Sequence, residues 1–169
     1  MIPMSLVGVR VEVPSNVPIV LLRESDGQRH LPIYIGQPEA TAIVYALQGL
    51  ETPRPMTHDL FKSVLDGLGA RIVQVVITEL HADPPGSPGT FYAEIELSSA
   101  GGTHHISTRP SDAIALAVRY PDHVPIFASD AVMEEAGVVF EQDEEEEQIE
   151  AFREFLDDVR PEDFARGSD

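Results

Sequence analysis

Residues 31–47 read LPIYIGQPEATAIVYAL, and the change of pattern in the middle of this run decides the fold class. Up to Ile35 the residues are apolar or branched and suit a strand; Gly36 breaks it. Pro38 fits the start of a helix, where a missing N–H costs nothing, and Glu39 places an anion in the positive first turn. From Ala40 to Leu47 the run is almost entirely apolar, so the helix is expected to be buried on most sides and to stop near Gly49. Working outward, Ser5–Val13 and Val17–Arg23 read as strands separated by a Pro14-Ser15-Asn16 turn, and Asp26-Gly27 is a hairpin signal leading into Arg29–Ile35. Beyond the helix, residues 52–55 form a Pro-bounded loop. Thr57 then offers a cap for a second helix with Asp59 in its first turn, and Leu60, Phe61, Val64, Leu65 and Leu68 follow at helical spacing before Gly69.

The same order recurs. Strands are expected at Ala70–Leu80, Thr90–Ser98 and His104–Thr108, followed by an Ala-rich helix opened by Pro110, Ser111 and Asp112. A short Pro-Ile-Phe segment leads to a helix capped by Ser129, reaching Ala136 and stopped by Gly137. Glu39-Ala40-Thr41-Ala42-Ile43 falls on Asp112-Ala113-Ile114-Ala115-Leu116, each acid opening a small apolar helix after the third strand of its half. The reading is an α+β domain over residues 1–140, built as a duplicated β3α2 unit (about 4–69 and 70–137), with a mixed or antiparallel sheet packed against helices. Alanine at that spacing lets a helix approach a sheet or its twin closely. Residues 141–169 are read as an acidic linker and a tail helix. Glu141–Glu147 is the solvated linker. Ile149, Phe152, Phe155, Leu156 and Val159 form the apolar stripe of an amphipathic helix. That stripe covers either its own domain or a sister subunit, or docks another protein as partner.

A chain of 169 residues with 43% apolar residues suffices for one core plus an appendage. It contains no cysteine, which excludes disulfides and thiolate chemistry. The net charge is −18, of which residues 134–169, with 15 acids and 3 Arg, carry −12. No basic patch or stripe is present, which weighs against avid nucleic-acid binding but leaves room for a small active site. The first residues lack the basic and apolar regions of a secretory signal, and no apolar run approaches the roughly 20 residues of a bilayer span. A soluble, cytoplasmic protein is expected, with no membrane association. Val/Ile-rich strands invite edge pairing and, with the apolar helices, point to a homodimer or larger homo-oligomer.

Several side chains carry two readings. Thr57-His58-Asp59 opens a helix: His58 suits a general acid/base, or a metal ligand with Asp59 nearby, because imidazole titrates near working pH; equally, Thr57 and Asp59 suit capping and dipole pairing. In Arg109-Pro110-Ser111-Asp112, Arg109 suits bidentate phosphate binding and Asp112 suits Mg²⁺ or Mn²⁺, with Ser111 beside them as a substrate contact; equally, Ser111 and Asp112 suit capping while Arg109 pairs with a neighbouring acid. Glu39 holds the equivalent place to Asp112, so the two carboxylates either share one metal site or each stabilise their own helix. Arg54 either joins a phosphate site or faces solvent. His104 and His105, adjacent on a strand, point to opposite faces and cannot chelate one ion together. His30, His81 and His123 read as surface or turn residues. No PD…(D/E)-x-K, HExxH, P-loop or G-x-S-x-G pattern is present, nor any aromatic-plus-basic platform for single strands.

Three stretches, LPIYIGQPEATAIVYAL (31–47), RPMTHDLFKSVLDGLGA (54–70) and TRPSDAIALAVR (108–119), together resemble the bifunctional nuclease (BFN) domain family, long known only as a domain of unknown function. The resemblance covers about residues 4–137. It implies a β/α fold with internal duplication, usually oligomeric, and, through plant members, activity on both DNA and RNA. The functional expectation is a phosphodiester hydrolase of low sequence specificity assisted by Mg²⁺ or Mn²⁺, with no organic cofactor. Arg54, His58, Asp59, Arg109 and Asp112 would carry it. The alternative is a non-catalytic oligomeric regulatory or scaffold protein that binds a small anion or a protein partner, which the acidic charge favours.

Overall fold

The branched apolar runs fold as two antiparallel meanders. The computed structural model describes residues 1–81, 84, 89–120, 122 and 124–140. The first meander comprises β1 (Ile2–Glu12), β2 (Val17–Glu24) and β3 (Arg29–Tyr34), the second β4 (Arg71–His81), β5 (Thr90–Ser99) and β6 (Gly102–Thr108). Helices α1 (Gln37–Leu47) and α2 (Thr57–Gly67) follow the first meander; α3 (Pro110–Ala117) and α4 (Asp130–Ala136) follow the second. Two short strands complete the described elements, β7 (Ile126–Ala128) between α3 and α4 and β8 (Val138–Val139) after α4.

All eight strands form one mixed sheet in the order β6-β5-β4-β7-β1-β2-β3-β8. The Pro-Ile-Phe segment, read from sequence only as a short connection, becomes the seam of this sheet. β7 lies antiparallel to β1, with Met4 opposite Ile126, and parallel to β4, with Val75 opposite Ile126. The meanders therefore run outward from β7 in opposite directions. The Val-rich strands end up inside the sheet, so the edge pairing expected of them is satisfied within the chain; among the described residues the edge strands are β6 and β8.

Register sorts the side chains by face. Val20 pairs with Ile33 and with Val9, and Leu22 with Leu31; in the second meander Val75 pairs with Ile95 and Ile77 with Ala93. All of these are buried, and they form one hydrophobic cluster with Ala40, Ala42 and Ile43 of α1 and with Ala113–Ala117 of α3. Helix α1 lies on β1 and β2, α3 lies on β4 and β5, and the two helices pack on each other, while α2 sits on α3. Small residues on α1 and α3 permit that close approach, as the alanine spacing suggests. The stops at Gly49 and Gly69 are real: both take left-handed φ angles, +63° and +67°, which glycine adopts without strain.

Some local expectations fail. Met56, not Thr57, is the N-cap of α2, and its N–H is accepted by Asp59 Oδ2 at 2.8 Å; Thr57 is already the first helical residue. Ser111 and Asp112 make no cap bond either, since Arg109 is the N-cap of α3 and that helix has no side-chain cap. Ser129 does cap α4, accepting from the Val132 N–H at 3.2 Å. His30, read as a surface residue, is buried on β3, its ring against Phe140. Of the apolar residues on α2 and at its C-cap only Leu65 is buried; Leu60, Phe61, Val64 and the C-cap Leu68 are exposed. His104 and His105 do diverge, one toward Ser99 and the other toward Glu94. Among the described residues no helix is long and apolar enough to cross a membrane. The acidic linker, the tail helix and His123 lie outside the described residues.

Leu22 is fully buried and Ile106 on β6 is 46% exposed. Leu22→Ala is expected to lower the unfolding free energy in urea by about 2–5 kcal/mol, and Ile106→Thr by less than about 0.5 kcal/mol. Equal losses would contradict this assignment of inner face and edge.

Candidate active site

The starts of α1, α2 and α3 carry side chains that reach one another. Gly36 is the N-cap of α1, Met56 of α2 and Arg109 of α3. Each helix start presents the positive end of its dipole, which favours an anion nearby.

Arg109 is the hub. Its Nε donates to Asp112 Oδ2 at 2.7 Å, and its Nη2 donates to Asp112 Oδ1 at 3.2 Å and to Glu39 Oε1 at 2.8 Å. One guanidinium thus bridges the acids that open α1 and α3, so the two equivalent positions read from sequence do meet. The pairing raises the Arg109 pKa above its ordinary value, chiefly through the Asp112 hydrogen bond. The Arg109 side chain is nevertheless 65% exposed, against 28% for Asp112 and 15% for Glu39, which leaves N–H groups open toward solvent. Gly36 makes room for Glu39: a Cβ at position 36 would collide with the Glu39 carboxylate.

His58 closes the group from α2. Its Nε2 lies 3.1 Å from Asp112 Oδ1, and the side chain is largely buried. With Nε2–H donating to the carboxylate, Nδ1 is left as the basic nitrogen. Burial pushes the Asp112 carboxyl up, but the hydrogen bonds from Arg109 and His58 outweigh it and hold the group below the ordinary aspartate value. Two carboxylates against one guanidinium leave the cluster with a single negative charge while His58 is neutral.

Asp59, expected beside His58 as a reactive group, is engaged elsewhere. Its Oδ1 accepts from Arg119 Nε at 2.6 Å, and Arg119 Nη1 donates to the Ala115 carbonyl at 2.6 Å. Arg119, 6% exposed at its side chain, therefore ties the first turn of α2 to α3 and keeps His58 within reach of Asp112. Burial raises the Asp59 carboxyl, and the Arg119 and Met56 hydrogen bonds bring it below its ordinary value. Sequence reading placed Arg119 only at the end of an Ala-rich helix; its partner is 60 positions away, and no local pattern signals the pair. Ser111 is buried and lines a cavity next to Arg109. Arg54 is exposed, and none of the hydrogen bonds joining the other four side chains includes it.

Glu39 and Asp112 supply hard carboxylate oxygens that suit Mg²⁺ or Mn²⁺, since Mg²⁺ commonly takes one or two protein carboxylates and completes its shell with water and substrate phosphate. Among the described residues no cluster of three or more His, Asp or Glu forms a metal cage. An ion between the two carboxylates and the present pose of Arg109 exclude each other.

Replacing Asp59 by Asn removes the anionic partner of buried Arg119. A loss of about 1–3 kcal/mol is expected at neutral pH, toward the lower end because Asp59 is 38% exposed and partly screened. The folded pKa of Asp59 is depressed, so its contribution is full above the unfolded value of about 4 and vanishes as pH falls through the lower folded value. The gap in urea midpoint between Asp59→Asn and the parent chain is expected to be widest near neutrality and to close on acidification; a gap independent of pH would contradict the ion pair.

Comparison with known proteins places the chain in a family. The bifunctional nuclease domain profile matches residues 20–141. The chain is 44% identical over 167 residues to an uncharacterised protein of Mycobacterium tuberculosis, spanning 94% of this chain and 95% of that one. It is 29% identical over 104 residues to Bifunctional nuclease 1 of Oryza sativa subsp. japonica and, equally, to Bifunctional nuclease of Oryza minuta, spanning 60% of this chain but 30% of each rice protein. The matched region holds Glu39, His58, Arg109 and Asp112, and the chain belongs to the bifunctional nuclease domain family.

Proposed function

We propose that the protein is a nuclease that hydrolyses phosphodiester bonds of DNA and/or RNA with low sequence specificity. The observation that carries this reading is the continuous Glu39–Arg109–Asp112–His58 chain at three converging helix starts, in a member of this family. Arg109 offers its solvent-facing N–H groups to the phosphoryl oxygens, where charge grows in the transition state. His58, held by Asp112, takes the proton of the attacking water at Nδ1 and returns it to the leaving oxygen. Glu39 and Asp112 keep Arg109 in place, and Asp59 with Arg119 positions His58. These groups address the sugar-phosphate backbone, the part of the substrate that carries no sequence information.

The excess negative charge of the cluster is unfavourable for a phosphodiester alone, which supports divalent-metal assistance. Glu39 and Asp112 are the residues that would hold Mg²⁺ or Mn²⁺, in a pose of Arg109 other than the present one, and the ion would supply charge neutralisation at the phosphoryl group. The meander-then-helix order of both halves, with Glu39 and Asp112 at matching places, supports descent from one duplicated β3α2 unit.

The alternative, a regulatory or scaffold oligomer, is favoured by the exposed stripe of Leu60, Phe61, Val64 and Leu68 on α2. Contiguous apolar surface of this kind marks an association face, and self-association through it is compatible with either function. Light scattering is expected to show more than a monomer, and Phe61→Glu with Leu68→Glu to yield one; an unchanged assembly would remove α2 from the interface.

The functional test incubates the purified chain with single- and double-stranded DNA and RNA, with Mg²⁺, with Mn²⁺ and with EDTA. His58→Ala and Asp112→Ala are each expected to lower kcat by about 10²–10⁴-fold. Activity that survives both substitutions equally would belong to a contaminant. Full activity in EDTA would leave Arg109 as the agent of charge neutralisation.

A further inference from the structure

A cavity of about 330 Å³ opens beside Arg109, at the low end of the range for small-ligand sites. Its walls come from the end of β3, the start of β5 and the start of α3, which place Tyr34, Gly36, Phe91, Arg109 and Ser111 around it. Three features set it apart. Arg109 is the only charged group among its described lining residues, in a chain of net charge −18; the carboxylates that hold Arg109 lie outside the lining. Two aromatic residues line it, Tyr34 exposed and Phe91 half-buried against the core. The rest of the described wall is apolar or small, with Ile33, Ile35 and Pro110 among it. Such a wall suits a flat, uncharged ring system attached to an anion.

We propose that this cavity is a subsite for one unpaired nucleobase adjacent to the phosphate held by Arg109. The proposal rests on the nuclease reading and extends it. Every base has a π-face, so aromatic walls tolerate all four bases, in keeping with low sequence specificity. A base in a duplex must leave its stack to enter, so single strands are the preferred substrate. Tyr34, Phe91 and Arg109 are far apart in sequence, which is why no aromatic-plus-basic platform is legible there; the two meanders and α3 assemble one.

The test compares the binding of adenosine 5′-monophosphate and ribose 5-phosphate to the full chain by calorimetry. Stacking of one base predicts that the nucleotide binds at least about fivefold more tightly. Tyr34→Ala and Phe91→Leu are expected to shrink that ratio toward one. Tyr34→Phe is expected to keep it, because the Tyr34 hydroxyl donates to Glu12 at 2.6 Å, a residue outside the cavity. Arg109→Ala is expected to weaken both ligands. Equal affinity for the two ligands, or a ratio that Tyr34→Ala leaves intact, would overturn the subsite. Tyr34 is 57% exposed, so its substitutions decide the matter even where Phe91→Leu disturbs folding. Cleavage without a base-dependent ratio would refute the subsite alone. A base-dependent ratio without cleavage of any nucleic acid would refute the nuclease reading alone.

Discussion

The site depends on a three-residue strand. β7 pairs with the first strand of each meander, antiparallel to β1 and parallel to β4, and so joins two halves that would otherwise be separate sheets. Backbone hydrogen bonding there continues into the helix layer: Ser129 N–H donates to the Ile77 carbonyl at 2.9 Å, and the Ser129 hydroxyl to the Thr78 carbonyl at 2.9 Å. Because the halves share one sheet, α1 and α3 share one core. Because those helices touch along small residues, their first turns are close enough for one guanidinium to span them.

That bridge also resolves an electrostatic difficulty. Two carboxylates brought together at partly buried positions repel each other and lose hydration, which would ordinarily push one of them to protonate. The Arg109 fork supplies a compensating charge with defined geometry, and the positive ends of the helices add to it. Asp112 stays ionised as a result and can hold the His58 tautomer. The acidic character of the chain as a whole is therefore a poor guide to the local field: most of the excess negative charge belongs to residues beyond 133, whereas the cavity beside Arg109 is lined by a single cation among its described residues.

Much of this architecture is legible in the sequence, for reasons that can be named. The six long strands alternate or run in branched apolar stretches, the hairpin at Asp26-Gly27 carries its own turn chemistry, and Pro38 and Pro110 mark helix starts. Glu39 and Asp112 each follow the third strand of a meander in element order, which is why both are legible as acids at helix starts. What escapes has no local signature. β7 and β8 are too short to show a period. His58 meets Asp112 across 54 positions, and Arg119 meets Asp59 across 60, so neither pair is visible in any window. His30 looks solvent-facing in sequence because what covers it, the register with β2 and the Phe140 ring, is not local. Thr57 is not the cap because the helix starts one residue earlier: Thr57 is its first residue, and the Asp59 side chain reaches back to the Met56 N–H.

The ends of the sheet have a consequence for the protein in solution. β6 is exposed along nearly its whole length but consists largely of glycine, threonine, serine and histidine, with Ile106 its one large apolar residue. At the opposite border β8 is two residues long. Among the described residues, a wide sheet with a polar, exposed margin on one side and a stub on the other gives a neighbouring molecule little to template upon. Crowded copies of this chain should therefore resist lateral growth into fibrils, even though most of its strands are rich in the residues that fibrils favour.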